Sequence, residues 1–221
     1  MSGPLALVGG GEWREGCAFD RELLERSGGD EVLVLPTAAA YERPERAVAW
    51  AARWFGPLGA RVRGLGVLQR GDAMDPDNAA AVREAAFIYL CGGSALHLRS
   101  VLKVTPVWEA LTAAWSGGAV LAGSSAGAMV LCDPMVDPRG GAFTVGLGLV
   151  ANLAVLPHAG PDVAHAHRRT IELADPGLAV AAVAEETALL RDPAGAWRVA
   201  GAGTVTVFVD GREAGLDALP G

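Results

Sequence analysis

The sequence predicts an α/β fold in which a mostly parallel central sheet carries helices on both faces. Short runs that are apolar at almost every position, such as "EVLVLP" at 31–36, alternate with longer amphipathic stretches. Strands of this composition are typical of parallel sheets, because both of their faces are buried. Gly and Pro lie at the ends of the runs, and no low-complexity linker separates them. We therefore expect one domain over residues 1–221, built as a three-layer sandwich.

The predicted elements follow one another in chain order. Strands are expected at 4–10, 31–36, 61–68, 87–91 and 119–123. Helices are expected at 14–28, 44–60, 77–86 and 105–118, where apolar residues recur with helical spacing. Asp77 is the predicted N-cap of the third helix, and Pro106 lies in the first turn of the fourth. The segment 162–173 has a helical pattern, and 178–184, 188–192 and 197–211 are expected as strands that end in a C-terminal β-hairpin.

The charge of the chain excludes partners that bind through a basic surface. The net charge is −7, and the arginines are scattered along the sequence. Nucleic acids and anionic membranes require a basic stripe, so we expect neither as a partner. The apolar start "PLALV" is too short for a signal sequence or a membrane span, which favours a cytoplasmic location.

The cysteines indicate a reducing compartment and no metal site. Cys17, Cys91 and Cys132 are odd in number and lie far apart. No spacing of His, Cys, Asp or Glu fits a metal site, so neither a metal nor another cofactor is expected. We interpret the three thiols as reduced residues of the core.

The stretch "AVLAGSSAGAMVL" at 119–131 predicts a nucleophilic serine. It contains Gly-x-Ser-x-Gly centred on Ser125, between an apolar strand and the Ala-rich start of a helix. A sharp turn in this setting lifts the serine side chain clear of the backbone, and small neighbours let the chain bend that tightly. Backbone N–H groups after the turn can then face a developing oxyanion. The plain structural alternative is a strand-to-helix turn without chemistry.

A serine nucleophile needs a base, and the chain has four histidines. His158 directly follows the apolar run "LAVLP", where a strand would end at the carboxyl edge of the sheet. Sites in open parallel sheets form at that edge, so His158 is the predicted base. His165 and His167 lie in a polar stretch and are expected at the surface, and His97 is expected on a helix face.

The orienting acid stays open among three residues. Glu185 follows the apolar run 178–184 and would therefore lie at the same sheet edge as Ser125 and His158. Asp133 and Asp137 follow the serine turn closely, among prolines. The neighbouring Glu186 would point the other way if the strand continued.

Two architectures that share the strand–turn–helix setting fit less well. An α/β-hydrolase has its histidine well downstream of the acid, whereas the last histidine here is His167. A class I glutamine amidotransferase carries cysteine at the turn, where this chain has Ser125.

Six segments taken together resemble one family. They are, in order, "LALVGGGEW", "VLVLPTAAA", "GDAMDPDNAAAVREAAFIYLCGGSALHL", "AGSSAGAMVL", "GLGLVANLAVLPHAG" and "AVAEETALL". Their joint order and spacing resemble the serine peptidases that include dipeptidase E and cyanophycinase, over most of the chain. The resemblance implies a three-layer α/β fold similar to that of class I glutamine amidotransferases. In length the chain is close to dipeptidase E.

The resemblance also implies roles for individual residues. Ser125 matches the nucleophile, His158 the base and Glu185 the acid, with Asp133 and Asp137 as second choices. The implied oxyanion hole consists of the backbone N–H groups of Gly93 and Ala126.

The implied substrate-binding residues are Gly92, Ser94 and Arg169. Ser94 stands where the family usually has Asn or Asp after its Gly-Gly pair. Arg169 matches an arginine of the family and can pair with a substrate carboxylate through its planar guanidinium. The alternative is a surface ion pair between Arg169 and a neighbouring acid such as Glu172.

The function implied is a metal-independent serine peptidase for dipeptides or short peptides, with Asp preferred at the scissile bond. A cyanophycinase-like or other amide hydrolase is the alternative within the enzymes. A non-catalytic small-molecule binding protein of the same fold is the alternative from another class, motivated by the altered residues after Gly-Gly. The expected partner is a small peptide substrate, and a homodimer is left open.

Overall fold

The structure is a computed structural model and describes residues 2–221. The strands within this range are β1 (Leu5–Val8), β2 (Glu31–Leu35), β3 (Arg61–Gly64), β4 (Phe87–Leu90), β5 (Val120–Ser124), β6 (Cys132–Asp133), β7 (Met135–Val136), β8 (Phe143–Thr144), β9 (Val150–Ala151), β10 (Leu153–Leu156), β11 (Ala179–Val183), β12 (Thr187–Arg191), β13 (Trp197–Gly201), β14 (Val205–Val209) and β15 (Arg212–Ala214). The α-helices are α1 (Phe19–Ser27), α2 (Pro44–Phe55), α3 (Arg70–Ala73), α4 (Pro76–Arg83), α5 (Ala95–Leu102), α6 (Pro106–Ser116), α7 (Ala126–Leu131), α8 (Val163–Ala166) and α9 (Arg168–Glu172). Short 3₁₀ turns lie at Thr37–Ala39, Gly56–Leu58 and Leu216–Ala218.

The central sheet has seven strands among the described residues, in the order β13-β12-β1-β5-β4-β2-β3. The five strands from β1 to β3 in this order are parallel, and β12 and β13 add an antiparallel edge. The mostly parallel sheet predicted from the apolar runs is therefore present. Its five parallel strands begin and end within a few residues of the predicted bounds, although β3 is only half as long as expected.

Alternate residues of each central strand enter two different cores. In β1, Leu5 and Leu7 pack with α4, α5 and α6 on one face, while Ala6 and Val8 pack with α1 and α2 on the other. Because both faces are covered, none of these four residues has any exposed surface. This is the three-layer arrangement that the composition of the strands predicted.

A second sheet covers part of one face of the first. It has the order β10-β11-β14-β15, with β10 and β11 parallel and β14 antiparallel to β11. Its buried residues, such as Val155 and Val180, belong to the same core as α4 to α7. The sequence pattern after residue 140 predicted strands here but did not show that they leave the central sheet.

The first helix is shorter than predicted, because the residues expected to form its first turn make hydrogen bonds to another part of the chain. The prediction was 14–28, but α1 begins at Phe19. The N–H of Gly16 donates to the Glu186 carboxylate at 2.9 Å, so this segment is held in a turn against the β11–β12 connection. The end was predicted well: Gly28 closes the helix in the left-handed region with φ 65°.

Two other helix predictions need correction. The N-cap of α4 is Asp75 and not Asp77, since the Asp75 side chain accepts a hydrogen bond from the Asp77 N–H. The segment 162–173 forms the two short helices α8 and α9 in place of one. Pro106 does lie in the first turn of α6, as expected.

The chain ends in a β-hairpin as predicted, but its strands are β14 and β15. The stretch 197–211 is shared between sheets, because β13 pairs with β12 in the central sheet and β14 pairs with β11 in the second. The tight turn at 202–204 therefore carries the chain from one sheet to the other.

The cysteines are free and buried. Burial raises the pKa of the Cys17 thiol to about 11 and that of Cys91 to about 12, so both stay protonated at neutral pH. None of the helices formed by the described residues combines the length and apolar character that crossing a membrane requires.

Gly9 joins the two sheets and generates a stability prediction. The Gly9 N–H donates a hydrogen bond to the Thr187 carbonyl oxygen at 2.9 Å, and a Cβ at Gly9 would lie 2.2 Å from the Ala184 carbonyl oxygen. Gly9→Ala should lower the free energy of unfolding by about 1–3 kcal/mol, the usual cost of overpacking. Urea denaturation followed by circular dichroism measures this. Gly66→Ala is the control, because nothing lies within 4 Å of its Cβ; equal midpoints for the two variants would contradict the prediction.

Candidate active site

Ser125 lies on a strained turn between β5 and α7. Its backbone has φ 49° and ψ −107°, a conformation that residues other than glycine rarely adopt. A Cβ at Gly123 would lie 2.6 Å from the carbonyl carbon of Gly127, and a Cβ at Gly127 would lie 2.4 Å from the carbonyl oxygen of Leu90. Both glycines of the Gly-x-Ser-x-Gly pattern are thus required by close backbone packing, and the turn leaves the Ser125 side chain accessible.

Ser125, His158 and Glu185 form one line of hydrogen-bonding distances. Ser125 Oγ lies 2.8 Å from His158 Nε2, and His158 Nδ1 lies 3.0 Å from Glu185 Oε1. A carboxylate can only accept, so the hydrogen bond to Glu185 places the ring proton on Nδ1 and leaves Nε2 as acceptor for the serine. The side chains of His158 and Glu185 are each about half exposed. This arrangement can move a proton from the serine hydroxyl to the ring.

The sequence predicted that the three residues would lie at the edge of one sheet, and the structure shows that they do not. Ser125 follows β5 of the central sheet, whereas His158 and Glu185 follow β10 and β11 of the second sheet. Because β10 and β11 are parallel neighbours, their carboxyl ends bring the histidine and the glutamate together. The expectation was wrong because apolar runs show where strands are but not which sheet they join.

The loop after β1 connects the two sheets at this point. The carbonyl groups of three consecutive residues, 8 to 10, each accept a hydrogen bond from a backbone amide of the site. The Ser125 N–H donates to Val8 at 2.8 Å, and the His158 N–H donates to Gly9 at 2.7 Å. The N–H of Glu186, the residue after Glu185, donates to Gly10 at 2.7 Å. The residues that donate all have positive φ, at 49°, 55° and 53°. This short segment therefore orders the backbone of all three loops.

Gly10 packs directly against the histidine ring. A Cβ at Gly10 would lie 2.3 Å from His158 Cε1 and 2.5 Å from Nδ1, and the residue has φ 122°. Only glycine fits both the conformation and the space. The absence of a side chain at Gly10 thus lets the ring lie where it meets Ser125.

The other acids contact different groups. Asp133 Oδ1 accepts a hydrogen bond from the Gly146 N–H at 2.7 Å. Asp137 accepts hydrogen bonds from the Arg139 side chain, which lower the pKa of its carboxyl to about 2. Glu186 accepts a hydrogen bond from the Gly16 N–H. The predicted opposite direction of Glu186 required a continuing strand, but β11 ends at Val183, and Arg14 Nη1 lies within 4.0 Å of both the Glu185 and the Glu186 carboxylates. Of the acids considered, Glu185 is the one beside the His158 ring.

The backbone amides of Gly93 and Ala126, near the serine, have no hydrogen-bond acceptor within residues 2–221. The Gly93 backbone has φ 137°, and a Cβ there would lie 2.3 Å from the Ala38 carbonyl oxygen. The N–H of Gly92 is already occupied, since it donates to Glu12 Oε1 at 3.0 Å. Gly93 and Ala126 therefore keep free N–H groups, and free donors are what an oxyanion hole requires.

A cavity of about 590 Å³ opens at the serine. Ser125, His158, Gly93 and Ser94 line it together with Met129, Val136, Asp137, Arg139, Leu156, His167 and Thr170. Ser94 Oγ accepts a hydrogen bond from the His97 N–H and caps α5. The expectation that His167 lies on the outer surface is incomplete, because it is part of this wall.

Two predicted substrate-binding residues lie outside that cavity. Gly92 lines a neighbouring cavity of about 660 Å³, together with Glu12, Tyr41, Arg43 and Trp50 among others. Arg169 is exposed and lines neither cavity. The surface ion pair with Glu172 is made by Arg168 and not by Arg169.

Remaining site expectations concern His97 and metals. His97 Nε2 lies 2.8 Å from the Leu68 carbonyl oxygen, so the ring ties α5 to the segment after β3. Among the residues that the structure describes, no three His, Cys, Asp or Glu side chains form a group that could hold a metal ion.

Sequence reasoning missed Gly10, Glu12 and Arg139. Gly10 and Glu12 stand in "GGGEW", a segment that carried the resemblance but no assigned role. An acidic residue directly after a glycine-rich loop at a strand end was the available signal for Glu12. Arg139 had no signal, since an arginine in a polar loop resembles any surface residue.

The chain matches known peptidases in sequence and structure. Residues 5–196 match the family model described as Peptidase family S51. A peptidase from an acI-B1 actinobacterium is 32% identical, with a TM-score of 0.83 over 97% of this chain and 93% of that one. A putative peptidase E protein from Listeria monocytogenes EGD-e, at 17% identity, has a TM-score of 0.70 over 92% of this chain and all of that one, a likeness in fold alone.

Curated relatives extend the similarity. The cyanophycinase of Synechococcus elongatus is 28% identical over 96% of this chain and 69% of its own length. That of Nostoc sp. (strain PCC 7120) is 28% identical over 94% and 73%. Sheet order and structural likeness together confirm the predicted three-layer fold, similar to that of class I glutamine amidotransferases.

Gly10→Ala should lower kcat roughly 100-fold, because a displacement of about 1 Å at a reacting group costs that much. The added methyl group cannot coexist with the His158 ring in its present position. Peptide hydrolysis and circular dichroism, measured on the same preparation, separate this effect from unfolding. Gly160→Ala, two residues from His158 and open around its Cβ, should keep kcat near that of the wild type. Unchanged kcat in Gly10→Ala would contradict the proposed role of this contact.

Proposed function

The chain belongs to peptidase family S51, and we propose that it is a serine peptidase that hydrolyses dipeptides or short peptides through Ser125, His158 and Glu185. The family is the one that the sequence motifs predicted. The observation that carries the serine mechanism is the continuous line from Ser125 Oγ through the His158 ring to Glu185 Oε1, at 2.8 and 3.0 Å.

In the proposed reaction, Ser125 Oγ attacks the carbonyl carbon of the scissile peptide bond. His158 Nε2 takes the hydroxyl proton, and Glu185 stabilises the imidazolium and keeps its orientation. The short distance between Oγ and Nε2 supports this step, because a base must lie within hydrogen-bonding reach of the proton it removes. Arg14 Nη1 lies 3.9 Å from Glu185 Oε2, the carboxylate oxygen that does not contact the histidine.

The tetrahedral oxyanion would be bound by the N–H groups of Gly93 and Ala126. Their lack of other acceptors in the described chain supports this role. The imidazolium then gives its proton to the leaving nitrogen, the C–N bond breaks, and an acyl-enzyme forms on Ser125. Water attacks the ester with His158 again as base, and the acid product and free serine result.

The cavity beside Ser125 supports a short peptide as substrate. Its volume of about 590 Å³ lies in the usual range of small-ligand sites. Its wall combines apolar side chains with a few polar groups, and Arg139 is the one Arg or Lys side chain among the described residues that line it. We propose a preference for Asp at the scissile bond, with Arg139 as the cation that lies in this cavity. For Arg169, carboxylate binding stays a prediction.

A cyanophycinase-like activity is the second candidate. Its support is the similarity to proteins named cyanophycinase, which covers nearly the whole of this chain at 28% identity. The two candidates differ in substrate: α-linked aspartyl peptides in one case, and aspartyl residues linked through the side chain in the other.

Ser125→Ala should abolish hydrolysis and leave the fold intact, because it removes the only atom that bonds to the acyl group. The assay uses Asp-Xaa, Xaa-Asp and β-aspartyl-arginine peptides, and a fluorophosphonate probe reports the reactivity of the serine. Ser100→Ala, on the exposed side of α5, is the matched control. Cleavage by Ser125→Ala at the wild-type rate would refute the serine mechanism. Wild-type protein that neither labels nor cleaves would favour the binding-only alternative, and faster cleavage of β-aspartyl-arginine would favour the cyanophycinase-like one.

Glu185→Gln should lower kcat about 10³- to 10⁴-fold, since an amide partner favours the wrong histidine tautomer. Asp137→Asn should cost much less, because Asp137 bonds to Arg139 and not to the His158 ring. Parallel kcat measurements on one peptide compare the two. A larger loss in the Asp137 variant would overturn the assignment of Glu185.

A further inference from the structure

We propose that Glu12 is a positioning residue that holds the two halves of the oxyanion hole at a fixed separation. The inference rests on the proposed function, since the hole matters only if Ser125 forms a tetrahedral adduct. Glu12 itself touches neither Ser125 Oγ nor the reacting carbonyl in this scheme, and it acts through the backbone that it holds.

One carboxylate connects two separate segments of the chain. Glu12 Oε1 accepts a hydrogen bond from the Gly92 N–H at 3.0 Å, and Glu12 Oε2 accepts one from the Ser124 hydroxyl at 2.8 Å. Gly92 directly precedes Gly93, the first free donor, and Ser124 lies two residues before Ala126, the second. One oxygen therefore binds the backbone amide just before the first donor, and the other binds the side chain two residues before the second.

The backbone N–H groups at both ends of the segment from Gly92 to Ser94 are hydrogen-bonded to other parts of the chain. The Gly92 N–H is bound by Glu12, and the Ser94 N–H donates to the Ala38 carbonyl at 2.8 Å. The amide between them, that of Gly93, has no acceptor in the described chain. The neighbours on both sides are thus fixed, and the unbonded amide belongs to a residue that lines the cavity beside Ser125.

The Ser124 end of the bridge that the Glu12 carboxylate forms between Gly92 and Ser124 is buried, and its hydroxyl proton is used in the hydrogen bond to Glu12. Ser124 has no exposed surface, and Glu12 accepts the hydrogen bond that its hydroxyl donates. A buried hydroxyl that loses such an acceptor must find another or shift. Gly92 also packs closely against Glu12 and Ser125, since a Cβ at Gly92 would lie 3.2 Å from Glu12 Oε1 and 3.5 Å from Ser125 Cβ.

The physical value of this bridge is preorganisation. An oxyanion hole lowers the barrier only when its donors already point to the position that the charge will occupy. Here the donors come from two strands, β4 and β5, through the turns that follow each of them. A planar carboxylate that accepts from both turns ties their separation to its own rigid geometry, which two independent contacts would not do.

Glutamine is an informative replacement at this position. Its oxygen can accept from the Gly92 N–H, and its amide nitrogen can donate to the Ser124 hydroxyl, which also accepts. Glu12→Gln therefore keeps a hydrogen bond to each segment, with the direction of the bond to Ser124 reversed, whereas Glu12→Ala keeps neither.

We expect Glu12→Ala to lower kcat about 100-fold with KM within about threefold of the wild type, as loss of one oxyanion donor does. Glu12→Gln should keep at least about a tenth of the wild-type kcat. The affinity for a peptide trifluoromethyl ketone, which forms a tetrahedral adduct on serine, should fall in Glu12→Ala by the same factor as kcat/KM. A merely structural role would not link these two quantities. Glu42→Ala, in the same neighbouring cavity but without contact to Gly92 or Ser124, is the control and should match the wild type.

Amide hydrogen exchange tests the same inference without relying on catalysis. In Glu12→Ala, exchange of the peptide covering residues 91–95 should accelerate at least tenfold, and Glu12→Gln should restore slow exchange. Exchange that is equal in Glu12→Ala and wild type overturns the inference, as does a kcat of Glu12→Ala within threefold of the wild type. A loss in Glu12→Gln as large as in Glu12→Ala also overturns it, because charge and not the bridge would then matter. Wild-type protein that shows no hydrolysis and no labelling refutes the proposed function instead, and the exchange data still decide the role of Glu12 in holding the segment.

Discussion

The backbone of the loop after β1 is the constraint on which the site depends. Successive carbonyl groups at residues 8, 9 and 10, from the last residue of β1 and the loop after it, bind the amides of three loops that come from two different sheets. Backbone hydrogen bonds of this kind leave no freedom of register, because each carbonyl has a fixed place along the chain. The glycines of the loop are a consequence: the backbones and the His158 ring approach so closely that no side chain fits at residues 9 and 10.

Local patterns predicted the central sheet well. An apolar run bounded by glycine or proline reports on burial of both faces, and that burial is what a strand such as β2 or β4 experiences. The features that the sequence pattern did not predict depend on contacts between residues far apart in the chain. The start of α1 is displaced by a hydrogen bond from Gly16 to Glu186, 170 residues away in the chain. The second sheet was not recognised, because the composition of β10 and β11 does not differ from that of central strands.

The candidate site was predictable in part for the same reason. Ser125, His158 and Glu185 each follow an apolar strand, which the sequence shows directly, and the structure brings their side chains together. The walls of the cavity were less accessible to prediction. Arg139 and His167 stand in polar segments whose fold depends on tertiary contacts, whereas Arg169, which a motif singled out, lines neither cavity. Motif matches thus predicted the line of hydrogen bonds from Ser125 to Glu185 better than the residues around it.

The division of the site between two sheets separates what is shared from what can vary. The line of hydrogen bonds is anchored at the end of β1, while much of the wall of the cavity comes from the β7–β8 connection at 136–141 and from His167 and Thr170 in the region of α8 and α9. Such connections accept substitutions, insertions and deletions more readily than buried strands do. Changes in these wall segments can therefore alter what the cavity admits while the line of hydrogen bonds stays in place. Evolvability is in this sense a property of the topology.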